Sequence, residues 1–221
     1  MIAVIVPIYN TEKYLRETID SVICQTLSFA EHIRLILLDD ASTDGSFAIC
    51  EQYQKQYPKQ IVVKHYDTNQ GVSALRNEGV RIAGEMGDEL ITFLDSDDKL
   101  ADDAVEKAKM YFESHEDISV AAIAVKYFGT RDGEQRLNWR FQEMDVVDIK
   151  KQYTFPHYYV GGVFLRKRVL NELHFDETMN FWEDALAINQ VIVSEGKYGL
   201  IQDTFYFYRK REDESSLVDT A

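Results

Sequence analysis

Three aspartates fall within four positions in Phe93-Leu94-Asp95-Ser96-Asp97-Asp98, directly after an apolar run. Carboxylates this close repel one another, so the stretch calls for a positive partner. An Asp-x-Asp at a strand end offers hard oxygen ligands to Mg²⁺ or Mn²⁺ and leaves positions for phosphate oxygens and water. The competing explanation is an acidic helix start, because a helical pattern follows and the helix dipole favours acids there. On spacing alone the two are balanced.

A second apolar run, Ile33-Arg34-Leu35-Ile36-Leu37-Leu38, ends in Asp39-Asp40. A capped helix start accounts for Ser42, Thr43 and Asp44. It does not account for two aspartates on the strand, where a carboxylate could accept a hydrogen bond from a nucleobase N–H or a ribose hydroxyl. Asn69-Gln70-Gly71 is a glycine-led turn that would present backbone N–H groups at a helix start. Arg76 lies further along that helix, where it could reach a phosphate. Standing alone, it reads as an ordinary arginine on a surface helix. Trp182-Glu183-Asp184 puts two acids in the first turn of a helix, where they serve the dipole or supply a general base. Tyr206 and Tyr208 alternate as packing residues do on a strand. Arg209-Lys210-Arg211, three basic residues in a row, could close over a diphosphate. Neither the dinucleotide nor the P-loop glycine signature occurs.

The elements that must hold these residues are readable from periodicity. Buried strands are expected at 2–9, 33–40, 61–67 and 119–128 and within 88–98, ahead of Asp95–Asp98, and helices at 11–26, 43–57, 71–85 and 102–115. Asn10 or Thr11 would cap the first helix. Strands alternating with helices imply right-handed crossovers and a mostly parallel sheet, whose ligand crevice lies at the carboxyl ends of the strands. Both acidic clusters fall at such ends, and that placement is what makes them a candidate site. Beyond residue 128 the pattern weakens. Asp132-Gly133 marks a turn, 129–158 has no clear period, 158–173 reads as a short strand, two glycines and a helix, 181–196 as a helix, and 200–213 as a closing strand with a charged tail.

The 221 residues are 45% hydrophobic, enough for one sizeable core. With 24 basic and 38 acidic residues the formal charge is −14, which argues against nucleic acid as a partner. Cys24 and Cys50 fit neither a disulfide framework nor a zinc cluster. The apolar start is too short for a signal peptide of ordinary form, and no run approaches a spanning helix. A cytosolic location, at most peripheral to the inner face of a membrane, is the expectation.

In order and spacing, Val4–Asn10, Leu37–Ser46, Asn69–Val80, Phe93–Asp98, Trp182–Ile192 and Tyr206–Ser216 resemble the family 2 glycosyltransferases. The resemblance covers nearly the whole chain and is tightest over 1–100. It implies an α/β fold of the GT-A kind, a Rossmann-like, mostly parallel central sheet flanked by helices with a smaller mixed acceptor-side region. The chain 1–221 would be a single catalytic domain: a nucleotide-sugar-binding half at 1–100 and an acceptor-side half at 101–221. The activity implied is inverting transfer of a sugar from a nucleoside diphosphate-sugar, a UDP-sugar in first place, to a hydroxyl of a glycan or lipid-linked acceptor in cell-surface polysaccharide synthesis. The implied cofactor is Mn²⁺ or Mg²⁺.

By the same resemblance Pro7 and Tyr9 would line the base pocket, and Asp40, with Asp39, would read base and ribose. Arg76 would lie near base or phosphates. Asp97 would be the direct metal ligand, with Asp95 nearer the ribose. Asn10, Asn69, Gly71 and Ser96 go with this donor-binding set. Asp184 would be the catalytic base and Glu183 its support or an acceptor contact. Arg209 or Arg211 would hold the pyrophosphate or order the closing segment. Ala41 stands where the family has glycine, a change expected to be harmless on size. The chain stops where many relatives continue, which leaves room for a C-terminal domain or a homo-oligomer. The alternatives are a non-catalytic nucleotide-sugar-binding module and a metal-dependent nucleotidyltransferase. The latter lacks its glycine-rich basic loop here. A phosphatase of the haloacid dehalogenase kind would need its nucleophilic aspartate on the first strand, which ends in Pro7-Ile8-Tyr9-Asn10.

Overall fold

Four apolar runs form the parallel half of one sheet, in the order β3 (Ile61–His65), β2 (Ile33–Asp39), β1 (Ile2–Ile8), β4 (Leu90–Phe93). The computed structural model describes residues 1–130, 135–136, 144–151, 159–179 and 181–211. Strand β1 is buried at every position, and its side chains alternate between two cores. Ile2, Val4, Val6 and Ile8 face helices α1 (Glu12–Ile23), α3 (Ser46–Gln56) and α5 (Ala104–Ser114). Ala3 and Ile5 face α4 (Val72–Glu85) and α6 (Glu183–Glu195). Burial on both faces explains why these strands read as continuous apolar runs rather than alternating ones. A one-turn helix, α2 (Phe29–His32), leads into β2. Ile8 pairs beside Asp39 and Asp39 beside His65, so three strands finish at one level. This is the α/β sheet expected.

The rest of the sheet is mixed. Among the described residues the order continues from β4 through β9 (Val163–Arg166), β6 (Val120–Gly129) and β10 (Lys197–Lys210) to β5 (Lys99–Leu100). Strand β9 is antiparallel to both neighbours, whereas β6 and β10 are parallel. Short pieces β7 (Gln135–Arg136) and β8 (Val146–Asp148) pair with β6 and β10. The turn expected at Asp132-Gly133, and much of 129–158, lie outside the described residues.

Two expectations need correction, one after Gly161-Gly162 and one in the closing strand. The helix expected after Gly161-Gly162 is instead β9 followed by a single 3-10 turn, Lys167–Val169. A Cβ at Gly161 would sit 2.6 Å from the Tyr206 ring, so the glycines let the chain graze β10 before it enters the sheet. Pairing on both sides then outweighs the helical pattern of the residues that follow. As expected, the fourth strand stops before the aspartates, at Phe93, and Asp95–Asp98 form a turn closed by the Asp98 N–H on the Asp95 carbonyl at 3.0 Å. The closing strand begins earlier than expected, at Lys197. It is broken between Ile201 and Phe205, where Asp203 takes a positive φ of 58°.

Candidate active site

Arg76 is the residue on which the acidic clusters meet. It projects from α4 and is only 5% exposed, so it is not a surface arginine. One terminal nitrogen donates to Glu183 at 3.0 Å and the other to Asp95 at 3.3 Å. Its guanidinium also lies over the Phe175 ring, 5.6 Å from the centroid. Strand end β4 and helix start α6 are thereby drawn to one point although they lie far apart in sequence. Burial acts to lower the Arg76 pKa, but Asp95, Asp184 and Glu183 together raise it, so the cation is firmly held. Its Nε is buried without a hydrogen-bond partner.

Asp184 follows Glu183 in the first turn of α6. Its carboxylate accepts the Ala185 N–H at 2.7 Å and the Val160 N–H at 3.3 Å. Burial pushes its pKa up. Arg76 opposes that shift, and the charges of Glu183 and Asp95 add to it. A carboxylate whose pKa is raised by burial, beside a fixed cation, is a candidate proton acceptor.

The turn after β4 is knit to the closing segment. Asp98 is buried, and both of its oxygens are engaged, one by the Tyr206 hydroxyl and one by the Arg209 N–H, each at 2.7 Å. Burial, with Asp97 and Asp95 nearby, lifts its pKa well above the carboxylate range. Asp97 takes a double contact from Arg211, at 2.8 Å from Nε and 2.7 Å from a terminal nitrogen. Burial raises the Asp97 pKa while Arg211 holds it down and Asp95 pushes it up again. The Arg209 side chain donates to the Asp97 carbonyl and to Glu17 and stacks on Tyr14 and Phe128. It therefore orders the closing segment. Ser96 is buried, and its carbonyl accepts the Thr18 hydroxyl.

The aspartates at the end of β2 are used differently. Asp40 accepts the backbone N–H groups of Gln70 at 2.6 Å and Gly71 at 2.9 Å, one on each oxygen, while Asn69 donates to its carbonyl. Gly71 has φ 88°, open to glycine without strain. Asp39 is fully buried. One oxygen accepts from Ser42 and pairs with His65 at 2.7 Å, and the other has no hydrogen-bond partner. Asn10 ties the first loop to the second by donating its N–H to Ser42 and accepting from Thr43. No side-chain cap forms at Thr11; Asp44 instead accepts the Glu12 N–H from across the loop. Pro7 lies buried in β1, and Tyr9 is exposed at its end. Ala41 has φ 59°, so the absence of glycine there is a matter of backbone conformation rather than size.

For the divalent ion that the resemblance implies, Asp95 and Asp97 are oxygen donors of the right kind, and ions bound beside phosphates need only one or two protein carboxylates. Half-buried Asp97 gains from a cation, a role that Arg211 fills in this structure. The residues fit such an ion. No group of three His, Cys, Asp or Glu arranged to hold a metal occurs among the described residues. Sequence reasoning missed His65 and gave Tyr206 only a packing role. A histidine closing a strand level with an aspartate was the available signal for the first, and the hydroxyl under the acidic turn left none. A cavity of about 450 Å³ lined by Met1, Leu90, Phe112 and Arg166 opens at the opposite, amino-terminal ends of the parallel strands. No described helix is long and apolar enough to cross a membrane.

The minor teichoic acid biosynthesis protein GgaA of Bacillus subtilis (strain 168) is 41% identical over 221 residues, which are 99% of this chain and 49% of that protein. GgaB of the same organism is 39% identical over 223 residues, 99% of this chain and 24% of that protein. The chain thus spans about half, or less, of the length of these curated relatives. Among solved structures, that of TarS from S. aureus superposes with a TM-score of 0.79 at 25% identity, over 95% of this chain and 36% of that one. The sequence model of Glycosyl transferase family 2 matches residues 3–174, and the chain belongs to that family.

Proposed function

We propose that the chain transfers a sugar, with inversion, from a nucleoside diphosphate-sugar to an acceptor hydroxyl. The supporting observation is the Arg76 junction, where a buried guanidinium joins the half-exposed Asp95, after β4, to Glu183 beside Asp184. In this reading the nucleotide lies across the carboxyl ends of β1, β2 and β3, between Pro7, Tyr9 and the loops fixed by Asp39 and Asp40. Asp95 and Asp97 would hold Mn²⁺ or Mg²⁺, which when bound supplies Lewis-acid stabilisation of the leaving diphosphate. Arg211 then has a second anion to turn to, the diphosphate itself.

The acceptor oxygen attacks the anomeric carbon opposite the leaving group. Its bond to carbon forms as the carbon–oxygen bond to the diphosphate breaks, and that electron pair leaves with the diphosphate. Asp184 takes the acceptor proton, which an unassisted hydroxyl holds too tightly at neutral pH. Arg76, itself held by Glu183, keeps the Asp184 pKa from rising further. A single displacement inverts the centre. GgaA and GgaB are named for minor teichoic acid biosynthesis, which favours a cell-surface polymer as the acceptor. UDP-sugars are the first donors to test.

Calorimetry with UDP, GDP, CDP and dTDP, with and without Mn²⁺, tests the donor half. Product formation from the retained nucleotide's sugars tests transfer. One nucleotide is expected to bind in preference to the others, and more tightly with the ion. Indifference to all four, in either condition, contradicts the reading. Binding without transfer to any acceptor would favour a non-catalytic module.

A further inference from the structure

Tyr206 is only 2% exposed, and a phenol buried to its tip needs a partner for its hydroxyl. It has two, both in the acidic turn. The hydroxyl donates to the Asp98 carboxylate at 2.7 Å and accepts the Asp95 N–H at 3.1 Å. One oxygen from β10 therefore pins the first and last residues of the turn, in addition to the turn's own closure from Asp98 to Asp95. The ring is confined from its other side. A Cβ on Gly161 would lie 2.6 Å from the ring's Cζ, and one on Gly162 would lie 2.9 Å from the Tyr206 Cβ. Gly161 also bridges to Phe93, the last residue of β4. Val160, just before it, is buried and donates its N–H to the Asp184 carboxylate at 3.3 Å. A chain of contacts thus runs from Asp95 through the Tyr206 hydroxyl and ring to Gly161, Val160 and Asp184. A second route joins the same two places through Arg76 and Glu183. The two routes differ in kind. The ion pair of Arg76 with half-exposed Asp95 can be traded for another charge. The hydrogen bonds of a buried neutral hydroxyl have no water to compete with them.

From this geometry we propose that Tyr206 is a positioning residue for transfer: its hydroxyl holds the acidic turn in the shape that presents Asp95 and Asp97 to an ion and the donor diphosphate, and its ring fixes how far that turn stands from the segment that supports Asp184. This rests on the reading of Asp95 and Asp97 as ion ligands and of Asp184 as the base. It adds the residue that keeps the two in register when Asp95 exchanges Arg76 for another partner. Tyr206 itself, being buried, need not touch the substrate.

Tyr206→Phe keeps the ring and removes only the hydroxyl. Thr204→Val is the comparison. Thr204 is also buried on β10, and its hydroxyl donates to Asp103 at 2.6 Å, outside the acidic turn. Each variant loses one buried hydroxyl bonded to a carboxylate, so both should melt lower than the parent. Calorimetry gives Kd with and without Mn²⁺ for whichever of UDP, GDP, CDP and dTDP the parent retains, and the ratio of the two values is followed. In Tyr206→Phe the ratio should fall by about fivefold or more, as loss of one hydrogen bond allows, while Kd without the ion stays within about twofold. Its Asp95 amide should exchange faster. Its kcat should fall by about tenfold or more, the scale of a small misplacement, with acceptor KM within about threefold. Thr204→Val should keep the parent's ratio, kcat and Asp95 exchange rate. Tyr206→Leu, which removes the ring as well, should lower kcat further without lowering the ratio further. A parent-like ratio in Tyr206→Phe overturns the proposal, as does a kcat no lower than that of Thr204→Val. A loss of nucleotide affinity that is equal with and without the ion also overturns it, since the hydroxyl would then serve the fold at large. The ratio decides alone where no acceptor is turned over. A parent that binds nucleotide equally well with and without the ion strikes the ion reading itself, and the proposal falls with it.

Discussion

The two acidic strand ends look alike in sequence and are neutralised by different means. At the end of β2, Asp39 and Asp40 direct oxygens to backbone N–H groups and to His65, and in doing so fix the loops at the carboxyl ends of the parallel strands. After β4 and at the start of α6, Asp95, Asp97 and Glu183 face guanidinium groups of Arg76 and Arg211. Backbone hydrogen bonds are fixed by the fold and cannot be exchanged without moving a loop. An ion pair with a side chain can be exchanged for one with a phosphate or a metal. On the proposed reading, the first pair shapes the donor site and the second group holds charge for the chemistry.

The comparison breaks most sharply at Arg76. Replacing it by Met should destabilise the protein by about 3 kcal/mol or more, because it leaves carboxylates in a largely buried network unpaired. Urea denaturation measures this, and a loss under 1 kcal/mol would mean the network is far wetter than the structure indicates. Next comes a pH effect. Asp97, Asp98 and Asp184 all have pKa values raised by burial, so each favours folding most when protonated. Their contribution is complete below the ordinary carboxylate value and is lost as pH rises through the folded value. Asp98→Asn should therefore reduce the decline in stability above about pH 4 seen in thermal melts across pH. An identical profile in the variant would remove Asp98 from that role.

On the other side of the comparison, Asp40→Asn leaves one of the Gln70 and Gly71 N–H groups without its acceptor. A cost of about 1–2 kcal/mol is expected, together with faster hydrogen exchange at those two amides and weaker nucleotide binding. Unaltered exchange would show that the turn does not depend on Asp40. The smallest effect belongs to Ala41→Gly. Relief of a left-handed alanine, less the added freedom of the unfolded chain, should stabilise by roughly 0.5–1 kcal/mol, and a lowered melting temperature would contradict the φ of 59°.

The parallel half was legible because its strands are apolar on both faces and its helices carry clear periods. The placing of both acidic clusters at their carboxyl ends followed from topology. The mixed half was not, for identifiable reasons. Gly161-Gly162 signalled a close approach, but nothing local named Tyr206 as what is approached. The residues after them have a helical pattern that two flanking strands override. The acids of the site were visible one cluster at a time. Their meeting was not, because Arg76 has no local mark that separates it from any surface arginine, and its partners Asp95 and Glu183 stand 19 and 107 positions away. Likewise the resemblance left Arg209 and Arg211 equivalent, and only the fold shows Arg209 locked against Glu17, Tyr14 and Asp98 while Arg211 meets Asp97.

The most direct measurement of the central claim is the pair of quantities kcat for transfer and Kd for the donor nucleotide in Asp184→Asn. If Asp184 is the base that the Arg76 junction positions, kcat falls by about 10²–10⁴-fold and nucleotide affinity stays within a fewfold of the parent. Turnover near that of the parent, or a loss of nucleotide binding that accounts for the whole effect, would contradict it.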